Sequence, residues 1–151
     1  MQGLDEELGQ DIITDKTDNA EKVVDFGEAK KRRKAFHVWE VSGTQYKLKL
    51  TTSNICMLED KYKRNLLDLV STGSFPPLNL MLTIIQAAML PFHHGIKYES
   101  IQAIYDSYVE DGGSQTDLLS SVLMPTLAVS GFFTPEQAES MEKKLQEDTL
   151  L

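Results

Sequence analysis

The chain has 151 residues but only one cysteine, Cys56, and three histidines, so it is poor in the side chains most used for covalent and metal chemistry. A lone thiol excludes an internal disulfide and a cysteine metal cage. No neighbour in sequence activates Cys56, which reads as a small buried apolar residue. His93 and His94 are adjacent and would point apart on any regular element. The nearest acids lie beyond Gly95, so three or four ligands do not converge and no metal is assigned. There is no glycine-rich phosphate loop, no internal repeat, no heptad run and no nucleophile-elbow arrangement of Ser, His and Asp. The carboxylate pairs Glu59-Asp60 and Glu110-Asp111 read as solvated helix surface. No catalytic residue and no cofactor-binding residue is assigned, and an enzyme is not expected. Positive charge is also short: the formal net charge is −8 and the pI near 4.8, which argues against a general nucleic-acid binder and keeps copies apart in solution. No basic start leads into an apolar run, so a reducing cytoplasm is the expected compartment and no membrane association is expected.

What is present suffices for one core. The apolar fraction is 41% and the charged fraction 25%, and a chain of this length buries about 70% of the surface its unfolded form exposes. Residues 1–34 have scattered apolar side chains without a period and end in the basic run Lys30-Lys31-Arg32-Arg33-Lys34; they are expected to form a flexible charged arm. The basic run reads as a solvated linker, or as a patch for nucleic acid in a small adaptor or regulatory protein.

From residue 35 the period becomes two. Phe36 to Val41 and Thr44 to Leu50 alternate on either side of Ser42-Gly43, which predicts a β-hairpin. Counting from the turn sets Val41 opposite Thr44, Trp39 opposite Tyr46 and His37 opposite Leu48 on the core face. Phe36, Val38 and Glu40 fall on the other face with Lys49, Lys47 and Gln45. Thr51 to Ser53 supply N-caps for a helix running to about Arg64, ended by Asn65 in the left-handed conformation, and Leu66 to Val70 make a short inward turn. A later helix has Tyr98, Ile101, Ile104, Tyr105, Tyr108 and Val109 on one side. Ser114 and Asp117 open another, in which Pro125 predicts a kink near Ser121 and Gly131 the end. Thr134-Pro135-Glu136-Gln137 starts a mostly polar helix, with Ala138, Met141 and Leu145 as its apolar line.

The chain is organised around Leu78 to Leu90, bracketed by Pro76-Pro77 and Pro91. At about 14 residues the stretch is short for the ~20 of a bilayer span. At 100° per residue Asn79, Thr83, Gln86 and Leu90 form a stripe roughly 60° wide, and all else is apolar. Such a helix belongs in the centre of a core, with Gln86→Glu tolerated and Leu82→Asp or Ile85→Asp unfolding the chain. The expected architecture is mainly α (α+β): an N-terminal hairpin followed by a compact bundle of about five helices over 35–134, with a C-terminal surface helix and tail over 135–151. Candidate partner contacts are Trp39, Tyr46 and Leu48 on the hairpin, then Asn79, Thr83 and Gln86 on the stripe. Tyr98, Tyr105, Phe132 and Phe133 complete them.

Tyr46-Lys47-Leu48-Lys49-Leu50-Thr51-Thr52 leading into Ile55 and Leu58-Glu59, then Asn65-Leu66-Leu67-Asp68 and the apolar helix, His94-Gly95-Ile96-Lys97-Tyr98, and Val129-Ser130-Gly131-Phe132-Phe133, together resemble the tail assembly chaperones of long-tailed bacteriophages and prophages of Gram-positive bacteria. The likeness spans about Phe36 to Thr134. It implies a non-enzymatic protein of the host cell cytoplasm that coats the aggregation-prone tape-measure protein while tail-tube subunits polymerise, and that is absent from the mature virion. It also implies the tape-measure protein as partner, with the tail tube protein as an additional one; separately, the open edge of the hairpin is a candidate site for self-association with further copies of the chain or for client contact. The apolar grooves and acidic charge such a coat needs are compatible with this composition.

Overall fold

The structure, a computed structural model, describes residues 32–71 and 73–150, without the side chains of 145–150. The expected arm lies outside the described residues except for its last three. The chain divides between Arg32 and Arg33, and the unit Arg33–Leu151 is a hairpin followed by six helices, an α+β arrangement.

Strands β1, His37–Val41, and β2, Thr44–Leu48, pair antiparallel with His37 opposite Leu48, Trp39 opposite Tyr46 and Val41 opposite Thr44, the register the alternation predicts. Ser42 and Gly43 both have positive φ, 51° and 84°, in a two-residue turn whose twist suits a hairpin. Ser42 takes that conformation less readily than glycine, and Asp111 holds it. Asp111 Oδ2 accepts from the Ser42 amide at 3.0 Å and from Ser42 Oγ at 2.8 Å.

Helix α1, Thr52–Tyr62, starts at Thr51, whose hydroxyl accepts from the Asn54 amide at 3.1 Å. The residue in the left-handed conformation at its end is Lys63, φ 57°, not Asn65. Asn65 instead caps α2, Leu66–Ser71, by accepting from the Asp68 amide at 3.1 Å, while Glu59 accepts from the Leu66 amide at 2.8 Å and fixes the corner. Cys56 is exposed on α1, because the inward line there runs through Leu58; the expectation of a buried thiol is corrected.

Helix α3, Leu78–Met89, begins after Pro77, whose φ of −65° and ψ of 148° place it just before the helix. Leu80, Met81, Leu82, Ile84, Ile85, Ala87, Ala88 and Met89 are buried, while Asn79 is exposed and Thr83, Gln86 and Leu90 are half-buried. The polar stripe therefore lies where the 100° spacing puts it. The helix touches β2, α1, α4 and α5, which cover its apolar sides. Helix α4, Tyr98–Glu110, buries Ile101 and Tyr105 and half-buries Tyr98, Ile104 and Tyr108, but Val109 is 44% exposed. Val109 sits at the edge of the apolar arc.

Helix α5 covers 115–129 in three stretches: α-helix over Gln115–Asp117, a π-helical stretch over Leu118–Leu123, and α-helix over Met124–Val129. The irregularity that Pro125 imposes takes this form, with the Met124 amide reaching back to the Leu119 carbonyl. In an unbroken α-helix an amide at 125 would bond the Ser121 carbonyl. That carbonyl accepts from His37 Nε2 of β1 at 3.1 Å, which puts the neutral ring's proton on Nε2. Burial is the main cause holding the His37 pKa below the ordinary 6.5, and Lys34 also lowers it. The Ser121 bond and Glu142 pull the other way. A relay joins the same helix to the strand exit: the Leu50 amide donates to Ser130 Oγ at 2.9 Å, and Ser130 Oγ to the Thr126 carbonyl at 2.6 Å. Gly131, φ 100°, closes α5, its amide and that of Phe132 reaching the Ala128 and Leu127 carbonyls.

Helix α6, Pro135–Leu150, opens with a reciprocal box: the Gln137 amide donates to Thr134 Oγ1 at 3.1 Å and the Thr134 amide to Gln137 Oε1 at 2.9 Å. Ala138 and Met141 are half-buried, and the Leu145 side chain lies outside those described. Two residues of the basic run meet this end of the fold. Lys34 Nζ pairs with Glu142 at 2.8 Å, and Arg33 Nη1 donates to the Phe133 carbonyl.

Candidate protein-binding surface

Most of the contacts nominated from sequence turn inward. Trp39 and Leu48 are 3% and 0% exposed, and Tyr105 is 8% exposed. These three are core residues and present no side chain to a partner. Trp39 stacks edge-on against Tyr108, with ring centroids 5.3 Å apart, and tilts against Tyr46 at 6.3 Å. Its indole N–H, buried among rings, finds no acceptor among the described residues. Burial, then Asp117 and Tyr105, push the Tyr108 phenol up to about 12, so it is neutral across the working pH range. Tyr98, Phe132 and Phe133 are half-buried and pack on the core.

The stripe of α3 is largely engaged in holding its neighbours. Thr83 Oγ1 donates to the Asn79 carbonyl at 2.7 Å, and Gln86 Nε2 to the Ile96 carbonyl at 3.0 Å, anchoring the turn that leads into α4. Asn54 of α1 closes over the same helix, donating to the Ala87 carbonyl at 3.0 Å. Of the stripe, only Asn79 is exposed.

What the hairpin offers to solvent is its other face. Val38, Glu40, Gln45 and Lys47 are exposed there, and Phe36 lies at the strand entrance. Phe92 joins them from the turn after α3, where its amide and that of His93 donate to the Met89 carbonyl at 2.9 and 2.8 Å and fix the turn. Phe36 and Phe92 meet edge to face, with centroids 5.7 Å apart and planes at 71°. Lys47 Nζ lies 4.8 Å from the Phe36 ring centre and 5.9 Å from that of Phe92. Val38 and Phe92 are each 38% exposed, and Met57, Phe75 and Val109 are further exposed large apolar side chains. Phe36, Val38 and Phe92 were not among the residues nominated from sequence. The available signal was two apolar residues, Phe36 and Val38, on the polar side of the hairpin's alternation. Phe92 carried none, since its approach to the strand depends on the turn.

Among the described residues no group of three or more His, Cys, Asp or Glu side chains could hold a metal ion, and no helix is long and apolar enough to cross a membrane. The arrangement is suited to recognition by shape, apolar contact and a positioned ammonium. No curated protein and no solved structure matches the chain. Residues 30–150 match the model described as a family of unknown function, DUF6096, and that range takes in every described element. With most of its length matched, the chain belongs to the DUF6096 family.

Proposed function

We propose that this protein is a non-enzymatic tail assembly chaperone that binds the phage tape-measure protein and keeps it soluble while the tail is built, acting in the host cell cytoplasm and leaving before the virion is complete. The observation that carries the reading is apolar side chains left exposed on a well-packed, acidic unit: Val38, Phe92, Met57, Phe75 and Val109 face solvent on a chain of formal charge −8. A coat needs apolar contacts for its client and like charge to keep the coated complex apart from others. The segments that carry the family likeness also interlock. Lys49 N–H reaches the Ala88 carbonyl at 3.0 Å, Leu50 N–H reaches Ser130 Oγ, and Gln86 reaches Ile96. Client grooves beside α3 are not supported, because β2, α1, α4 and α5 occupy them.

The rival reading, a nucleic-acid adaptor, draws on Lys30 to Lys34. Within that run Arg33 and Lys34 are engaged by Phe133 and Glu142, which weighs against it. Co-expression with the tape-measure protein is expected to raise the soluble fraction of that protein and to co-purify it, and mature particles are expected to lack the chain. Sub-micromolar, salt-sensitive binding to labelled DNA or RNA, with no effect on the tape-measure protein, would replace this reading with the adaptor.

A further inference from the structure

The outer face of the hairpin combines an aromatic pair, an exposed valine and a graded charge. The ladder sets Val38 opposite Lys47 and Glu40 opposite Gln45 and ends at the His37–Leu48 pair, beyond which Lys49 turns its amide to the Ala88 carbonyl of α3. Lys47 therefore lies at the Phe36 end, its ammonium over the Phe36 ring, and a carboxylate at the turn end. Sheets bury an apolar face against a helix or another sheet. Five-residue strands give a platform roughly 16 Å long, the length of about 11 helical residues or three turns. A second copy of the chain is disfavoured as occupant, because both copies carry net negative charge.

We propose that this face docks one amphipathic client helix, with apolar residues on Phe36, Val38 and Phe92, a carboxylate at the Lys47 end, and a basic or neutral residue over Glu40. The client as source of that helix rests on the chaperone reading above. Lys47 is available for the pairing, since it is exposed and its hold on the two rings is a solvent-facing cation–π contact. A carboxylate adds a charge-assisted bond without moving the ammonium off the aromatic pair.

The test compares the full chain with Lys47→Glu, Phe92→Asp and, as a control at an exposed polar position of α4, Gln102→Asp, each co-expressed with the tape-measure protein, with an unchanged thermal midpoint confirming the fold. Lys47→Glu and Phe92→Asp are expected to capture about tenfold less client or worse, the size of a hot-spot loss, while Gln102→Asp captures as much as the parent. Lys47→Gln, which keeps the stem without the charge, is expected to bind moderately less and to lose the salt sensitivity of the parent. Equal capture by all folded variants overturns the docking face and leaves the chaperone reading standing. Failure of the unaltered chain to capture client removes both. A concentration-dependent dimer of the parent that vanishes in Phe92→Asp would make the face a self-interface and overturn the proposal.

Discussion

Lys63 occupies a backbone conformation that favours glycine, with φ 57° at the end of α1. A non-glycine residue there costs about 1–2 kcal/mol, and a glycine costs roughly 0.5–1 kcal/mol in unfolded-state freedom. Lys63→Gly is therefore expected to stabilise the fold by about 0.5–1 kcal/mol in urea unfolding, since the Lys63–Asp60 pair it removes is solvent-exposed and worth little. His37 gives a second test with a defined sign. Its pKa is lowered in the folded state by burial, so the unfolded chain takes up the proton first as pH falls. The contribution of His37 is whole above 6.5, the ordinary histidine value, and is lost as pH falls through its lower folded-state value. The stability difference between the parent and His37→Gln is expected to shrink across that window. Lys34 and Glu142, which also face the ring, are to be kept intact. Neither feature could be read from sequence. The strain at Lys63 depends on where α1 stops, and the His37 bond on Pro125, 88 positions away.

At the scale of elements the hairpin and α3 were the most legible, because both are written in periodicity. The alternation around Ser42-Gly43 set the register residue for residue, and the 100° stripe marked which side of α3 is not fully buried. What periodicity could not show is whether a polar side chain on that stripe is solvated or engaged. Gln86 donates to the Ile96 carbonyl, so Gln86→Glu is expected to cost about 1–3 kcal/mol by setting a carboxylate against a carbonyl, contrary to the tolerance its position suggested. Asn79→Asp, exposed in the first turn of the same helix, is expected to be neutral or stabilising by about 0.3–1 kcal/mol. Ile85→Asp buries an unpaired charge at a fully enclosed site and is expected to prevent folding. Chemical unfolding of the three variants checks the order. Equal losses from Asn79→Asp and Ile85→Asp would mean that α3 faces the other way. The candidate surface was less legible than the core, since Phe36 and Val38 sat on the nominally polar side of the hairpin and Phe92 reaches them only through the turn after α3.

For the whole molecule, the interior is well closed and the exterior is acidic with apolar side chains left in view, the combination proposed for a chaperone. The basic run joins this body in part: Arg33 and Lys34 grip the last turn of the bundle and α6, a role no local pattern announces. The proposed chaperone role is to keep a long, aggregation-prone client in solution. Light scattering of denatured tape-measure protein diluted into buffer measures this directly, with the purified chain present or with an unrelated acidic protein of similar size as control. The expected result is suppression of scattering that saturates at a fixed ratio of chain to client, and scattering equal to that of the control would contradict the account.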